Sequence, residues 1–170
     1  GGGVCGDPRI EGEVLSRIDG PGACGIDRPV RLTRVSGIAI TGEQVVSCAF
    51  AREFADWAEG ARFGTGAEIS SLQSYAGYTC RTRNGLPGER ISNHAFGNAI
   101  DIGVIGFANG ERVSVEDGWN DPAYARIVRT LHGTACSDFD TVLGPEFDAA
   151  HRNHLHFDID PDRRGGAFCR

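Results

Sequence analysis

Residues 92–105 have the sequence SNHAFGNAIDIGVI, in which a polar loop leads directly into an apolar segment. The small and apolar residues at positions 97–105 predict a buried β-strand. Asp101 lies inside that strand, where a carboxylate is costly to bury unless it is paired or bound to a metal. Asp101 is therefore predicted either to bind a metal together with His94 or to pair with one of the arginines.

A cluster of histidines lies near the other end of the chain. Three of the five histidines fall within residues 151–156, which have the sequence HRNHLH. On a β-strand His154 and His156 would point to one face and Leu155 to the other. Asp158 would then share the histidine face. Taken alone, this alternation is typical of a solvated polar face as much as of a metal site.

One metal centre would account for both segments. Catalytic zinc is held by three nitrogen or oxygen ligands and keeps a fourth position for water, and His94, Asp101 and one histidine of the H-x-H pair satisfy that count. A non-haem iron oxygenase also uses two histidines and a carboxylate. The seven-residue separation of His94 and Asp101 disfavours it, because those enzymes place the first histidine and the carboxylate close together on one strand.

The stretch from Ser92 to Asp101 fits the pattern S-x-H-x-x-G-x-A-x-D. In this it resembles the zinc D-alanyl-D-alanine carboxypeptidases and dipeptidases, the murein endopeptidases and the hedgehog signalling domain. The resemblance implies that His94, Asp101 and His156 bind Zn²⁺. It also implies that His154 lies in the active site beside the metal.

The position three residues before the last ligand departs from that pattern. Many members carry an acidic general base there, whereas this chain has Asn153. The run H-x-x-H-x-H is similar to that of penicillin-insensitive murein endopeptidase, which implies that His151 replaces the acid. Either His151 or His154 would take the proton in catalysis. Asp148 and Asp158 are candidates for orienting these histidines.

A wider resemblance covers nearly the whole chain, from about residue 5 to residue 169. The cysteine placement, the YTCR segment at 78–81 and the stretch 142–159 resemble the bacterial extensin-like C-terminal domain. Related zinc enzymes carry an arginine near the position of Arg81, which stabilises an oxyanion or binds a carboxylate. Arg81 is therefore predicted to be catalytic, and Arg83 and Ser92 to bind substrate. A surface charge is the alternative for the arginines, and a hydrogen bond within its own loop is the alternative for Ser92.

The hydrophobic spacing predicts an α+β fold with a small, mostly antiparallel sheet flanked by helices. The resemblance implies that this fold is of the hedgehog and D-Ala-D-Ala peptidase type. His132 lies within the second of the predicted helices, residues 122–134, and no chemical role is predicted for it. The predicted helices cover 43–59, capped by Thr41, and 122–134; the predicted strands cover 29–40, 67–75, 77–82, 97–105, 112–115, 141–143 and 154–159.

The cysteine pattern predicts disulfides. The six cysteines are even in number, are spread along the chain and form no C-x-x-C pair, as in proteins of oxidising compartments. Pairing of sequence neighbours is the simplest hypothesis, although the sequence leaves other pairings open. It gives Cys5–Cys24, Cys48–Cys80 and Cys136–Cys169. Residues 1–170 are predicted to form one catalytic domain with an irregular, disulfide-tethered arm over 1–27.

Composition narrows the function classes. The net charge is -6 and the chain has no basic block, which disfavours nucleic-acid binding. No apolar stretch is long enough to span a bilayer. Because the chain begins with Gly1 rather than Met, its start is expected to be either processed or trimmed, and any signal segment to be absent from it. We therefore expect a periplasmic or secreted protein, which we also expect to be a monomer.

The function that these features predict is that of a zinc metallopeptidase, of the murein endopeptidase or D,D-carboxypeptidase type, acting on the peptide stems of peptidoglycan. The alternative is a zinc-stabilised module that binds the cell wall without hydrolysis. A purely structural wall protein would leave the histidine cluster unexplained. The sequence leaves open which bond is cut: a D-alanyl–diaminopimelate crosslink, a direct diaminopimelate crosslink or a terminal D-alanine. It also leaves open a role in growth, remodelling or attack on a competitor.

Overall fold

A ten-stranded sheet is the main element of the computed structural model, which describes residues 3–170. Two further strands form a separate small hairpin. The strands are β1 Ile10–Val14, β2 Ile18–Asp19, β3 Gly25–Ile26, β4 Pro29–Val35, β5 Ile38–Gly42, β6 Val45–Ser47, β7 Ile69–Ala76, β8 Ala99–Phe107, β9 Arg112–Ser114, β10 Thr141–Leu143, β11 Leu155–Asp158 and β12 Phe168–Cys169.

The main sheet has the order β1-β4-β5-β7-β8-β11-β10-β12, with β6 paired to β4 and β9 paired to β8. Its pairs are antiparallel except β5 with β7 and β10 with β12. The predicted α+β class with a mostly antiparallel sheet is therefore confirmed. Within this order β8 and β11 are neighbours, and β7 and β10 flank them on either side.

Three α-helices accompany the sheet in the described residues: α1 Cys48–Gly64, α2 Val115–Gly118 and α3 Ala125–Ala135. The first begins later than predicted, because residues 45–47 form β6 and the cap is Ser47 rather than Thr41. The Ser47 hydroxyl accepts a hydrogen bond from the backbone N–H of Phe50 at 3.0 Å, which satisfies one of the free N–H groups of the first turn. The second predicted helix corresponds to α3.

An aromatic cluster forms the core between α1 and the sheet. Phe157 of β11 lies 4.9 Å from both Trp57 and Phe139, measured between ring centroids. Phe50 and Phe54 extend the cluster along α1. Burial of such rings is the main apolar stabilisation of a domain of this size, and here it fixes the position of β11.

The amino-terminal segment is more regular than predicted. Residues 10–14 form β1, an edge strand paired with β4, so the prediction of an irregular arm over 1–27 is wrong there. The predicted tethering is confirmed, because both cysteines of this segment are in disulfides.

All six cysteines are paired, but two of the three predicted pairings are wrong: the observed bonds are Cys5–Cys48, Cys24–Cys80 and Cys136–Cys169.

The segment after β7 is a loop, not the strand predicted over 77–82. An isolated bridge joins Thr82 to Ile91 within it. The disulfide between Cys24 and Cys80 attaches this loop to the turn between β2 and β3. Within residues 3–170, none of the helices has the length and apolar character needed to cross a bilayer.

Candidate metal centre

The register of two strands brings the predicted ligands together. His156 of β11 is paired directly with Asp101 of β8, and side chains opposite one another on neighbouring strands lie on the same face of the sheet. His94 comes from a short 3-10 turn, Asn93–Phe96, that immediately precedes β8. The three side chains are buried, at 1%, 5% and 8% exposure for His94, Asp101 and His156.

The ligand atoms converge on one point. The Oδ1 atom of Asp101 lies 3.1 Å from Nε2 of His94 and 3.0 Å from Nδ1 of His156. One ligand atom from each of the three residues lies within 4.8 Å of the others. The predicted set of His94, Asp101 and His156 is thus one cluster that could hold a metal ion.

The outer nitrogens of the two rings already have partners. Nδ1 of His94 donates to the carbonyl oxygen of Gly77 at 2.8 Å, and Nε2 of His156 donates to Oδ2 of Asp158 at 2.7 Å. Such contacts select the tautomer of a metal-binding histidine. The lone pairs of the two inner nitrogens therefore face Asp101, an arrangement that is repulsive unless a proton or a metal ion lies between them. The residues present fit a divalent cation.

The electrostatics of the cluster favour positive charge. Burial by itself would lower the pKa of His156, but its hydrogen bonds with Asp101 and Asp158 raise that pKa to about 9. Burial likewise opposes ionisation of Asp101, but the neighbouring His94 and His156 hold its pKa well below its usual range. A carboxylate that stays ionised next to basic nitrogens is the environment in which a metal replaces a proton.

The glycine of the motif has a structural role. Gly97 has a φ of +70° and ends the 3-10 turn in the left-handed conformation. A Cβ at this position would lie 2.4 Å from Ile26 and 2.8 Å from the backbone nitrogen of Ser47. Because the Gly97 carbonyl also accepts from that nitrogen at 2.8 Å, this residue joins the turn that carries His94 to the start of α1.

Two further histidines lie beside the cluster. His151 is buried, and its Nδ1 lies 2.6 Å from Oδ1 of Asp148, which leaves Nε2 as its basic nitrogen. His154 donates from Nδ1 to Asn153 at 2.8 Å, and its Nε2 lies 3.7 Å from Oδ2 of Asp101. Asn153 therefore holds His154, and the carboxylate of Asp148 holds His151.

The three remaining predicted residues line the same cleft but differ in their contacts. The Nη2 atom of Arg81 is 3.8 Å from Oδ2 of Asp101. Arg83 is exposed. Ser92 is buried, and its hydroxyl accepts from the backbone N–H of His94 at 3.2 Å, which makes it the cap of the turn. Contact of Arg83 and Ser92 with substrate stays a prediction.

The cluster lies in a cleft of about 1080 Å³. Its lining includes Phe147, which packs edge-on against His151 with centroids 5.4 Å apart. His132 lies elsewhere, with its Nε2 bonded to the carbonyl oxygen of Arg170. No signal in the sequence pointed to Gly77, because this residue contributes only a backbone carbonyl to the cluster.

The fold and the cluster together define an α+β, disulfide-containing protein with a candidate three-ligand metal centre in an open cleft. The family described as "Extensin-like protein C-terminus" matches residues 9–170. The chain therefore belongs to the extensin-like C-terminal family. No curated protein and no solved structure matches it.

Proposed function

We propose that this protein is a zinc-dependent hydrolase that cleaves peptide crosslinks of peptidoglycan. The observation that carries the proposal is the convergence of Nε2 of His94, Oδ1 of Asp101 and Nδ1 of His156 in the lining of a cleft of about 1080 Å³. Two histidines and one carboxylate with access to a cleft match the ligand set of catalytic rather than structural zinc. Bound there, zinc would supply a Lewis acid and a water of lowered pKa.

The general base proposed for the reaction is His151. Asp148 fixes its tautomer through two hydrogen bonds to Oδ1, from the backbone N–H at 3.1 Å and from the ring Nδ1 at 2.6 Å. The carboxylate would also stabilise the imidazolium that forms when Nε2 accepts a proton. His154 is less suited to this role, because burial lowers its pKa to about 4 and its partner is the neutral Asn153.

The oxyanion that develops on the substrate carbonyl needs a cationic partner. Arg81 is proposed for this role, because its guanidinium lies beside Asp101 at the edge of the cluster and remains partly exposed to the cleft. Hydrogen bonds directed at developing charge contribute strongly to catalysis in a cleft with little water. Arg83 lines the same cleft, is exposed, and is proposed to contact the peptide stem.

The compartment proposed for the reaction is inferred from the disulfides, which lie outside the candidate site. Three disulfides in a chain of 170 residues are typical of proteins that fold in oxidising compartments. We therefore place the protein in the periplasm or outside the cell, where peptidoglycan is found. The resemblance of the Ser92–Asp101 motif to zinc peptidases of the cell wall supports this substrate class. A monomer is the simplest state for the proposed reaction.

A second candidate is a wall-binding module that holds zinc but does not hydrolyse. It is favoured by Asn153, which occupies the position of the usual acidic base. The two candidates differ in product formation, since both predict bound zinc and binding to the wall.

Digestion of purified sacculi separates them. We expect the zinc-loaded protein to release muropeptides whose masses identify the cut bond, and a chelator to abolish release. The variant His94→Ala should lose both zinc and cleavage, whereas His151→Ala should keep zinc and lose cleavage. Wall binding with zinc but no product would establish the binding module, and full zinc content in His94→Ala would remove that residue from the ligand set.

A further inference from the structure

Arginines line the cleft on both sides of the metal centre. Arg81 belongs to the loop that follows β7, whereas Arg163 contacts β10, and the metal ligands on β8 and β11 lie between these strands in the sheet order. Other arginines of the cleft lining are Arg83, Arg90 and Arg164. The same lining also carries six carboxylates, so the charge offered to a ligand depends on which arginines have no carboxylate partner within the described residues.

Arg163 differs from Arg81 in that the protein does not neutralise it. Arg81 has the carboxylate of Asp101 at 3.8 Å, whereas no carboxylate of the described residues lies within 4.0 Å of the Arg163 guanidinium. Its Nη2 donates to the hydroxyl of Thr141 at 2.7 Å, and its Nε is buried without a hydrogen-bond partner. A half-buried cation with a neutral partner is costly unless a ligand supplies the missing charge.

The surrounding carboxylates are engaged only in part. Oδ2 of Asp158 accepts from His156, whereas its Oδ1 is buried without a partner; Oδ1 of Asp160 accepts from the backbone N–H of Asp162. The backbone N–H of Arg163 donates to the Asp160 carbonyl at 3.0 Å, which fixes the turn that carries the guanidinium. Arg163 is therefore held in place by the backbone and a hydroxyl, and its charge is available to the cleft.

The position of Arg163 suits a substrate group that lies about two residues along the cleft from the candidate ligand His156. Thr141 is paired with Asp158, and Leu143 with His156. Two residues along a strand correspond to about 7 Å, which is close to the length of two peptide units. The guanidinium is thus anchored one side-chain repeat along the cleft from the metal ligand His156.

We propose that Arg163 binds a carboxylate of the substrate on the β10 side of the metal centre. The identity of that carboxylate rests on the proposed function: in a peptidoglycan stem it is the free carboxylate of the diaminopimelate residue next to the crosslink. Arg163 would make a charge-assisted hydrogen bond to it, with geometry that a lysine could not fully reproduce. Arg163 is then a residue that determines specificity.

Binding of a matched pair of peptides tests this role without requiring cleavage. The probe is the stem tripeptide L-Ala-γ-D-Glu-diaminopimelate, prepared with the distal diaminopimelate carboxylate either free or as the carboxamide. Calorimetric titration of the zinc-loaded wild type should show the free acid binding on the order of tenfold more tightly, the effect of one charge-assisted bond. Arg163→Gln should bring the ratio to about one.

Two controls separate recognition from folding and from net charge. Arg126→Gln removes an exposed arginine of α3 and should retain the wild-type ratio. Arg163→Lys keeps the charge and should retain part of the preference, which provides a readout if the glutamine variant does not fold. An unchanged ratio in Arg163→Gln, no preference in the wild type, or no binding of either peptide would overturn the proposal. Cleavage of sacculi is scored separately, so an Arg163-dependent preference without cleavage would reject only the hydrolase.

Discussion

Strand β11 has two faces of opposite chemistry, and both are buried. Leu155 and Phe157 pack into the apolar core, whereas His156 and Asp158 line the cleft. The core face is stabilised by removal of apolar surface from water, which needs no ion. On the cleft side of the sheet, two histidine lone pairs and a carboxylate from neighbouring segments come together. They are stable only with positive charge among them. One strand therefore serves the fold and the candidate metal centre through independent interactions.

The largest expected effect is on the core face. Phe157→Ala removes a fully buried ring that contacts Trp57 and Phe139. We expect the free energy of unfolding to fall by about 3–5 kcal/mol, the usual cost of a large-to-small change in a packed core. Urea denaturation of the zinc-free protein measures it. Phe63→Ala on α1, where the ring is 62% exposed, should change it little, and a loss below about 1 kcal/mol for Phe157→Ala would contradict a tightly packed core.

A change of pH is expected to have a somewhat smaller effect on the free energy of unfolding, and to act only through the cleft face. The pKa of His156 is raised from 6.5 to about 9 by its hydrogen bonds with Asp101 and Asp158, which outweigh burial. A raised histidine pKa stabilises the fold fully below pH 6.5 and loses that contribution as pH rises through about 9. The zinc-free protein should therefore lose roughly 3 kcal/mol of unfolding free energy over this range.

Zinc should remove this alkaline loss, because the metal takes the place of the proton and binds more tightly as histidines deprotonate. Denaturation curves at several pH values, with zinc or with a chelator, provide the comparison. Phe157→Ala should shift both sets of curves downward without changing their pH dependence. If the zinc-free wild type had the same stability throughout this pH range, the assignment of His156 as the site of positive charge would fail.

The smallest effect expected is that of a residue that contacts a ligand but not the metal. Asp158→Asn keeps the shape but removes the charge that orients and polarises His156. Loss of such a partner lowers metal affinity by about 10–100-fold, which competition with a chromogenic chelator can measure. Asp148→Asn is the matched control, because Asp148 contacts His151 rather than a ligand; it should lower cleavage and leave zinc affinity unchanged. Equal zinc affinity in both variants would contradict the distinction.

Local patterns accounted for most of what the sequence predicted correctly. The alternation around His156 placed Leu155 in the core and Asp158 on the histidine side, because side chains alternate along any strand. The run of small and apolar residues around Asp101 identified the buried strand β8, and the order of residue types within the motif identified His94 as its partner. Each of these features is encoded within about ten residues of chain.

The wrong predictions concern contacts between distant segments. Cys5 bonds to Cys48 and not to its neighbour Cys24, because the edge strand β1 carries the amino terminus past the start of α1. The sequence did not predict β1 as a strand, because it is formed by hydrogen bonds to β4, a contact that its own five residues do not reveal. The cap of α1 was assigned to Thr41 because a short strand before a helix leaves no break in the hydrophobic spacing.

The sequence by itself determined the chemical groups of the candidate metal centre and the two strands that carry Asp101 and His156, because residue type and strand periodicity are local properties. Only the tertiary structure decided which nitrogen of each ring faces inward. That choice depends on Gly77 and Asp158 as acceptors, and on the register of β8 with β11. The tertiary structure also revealed Arg163 as a cation without a carboxylate partner among the described residues, since the contacts that a side chain lacks are defined only once every other segment is in place.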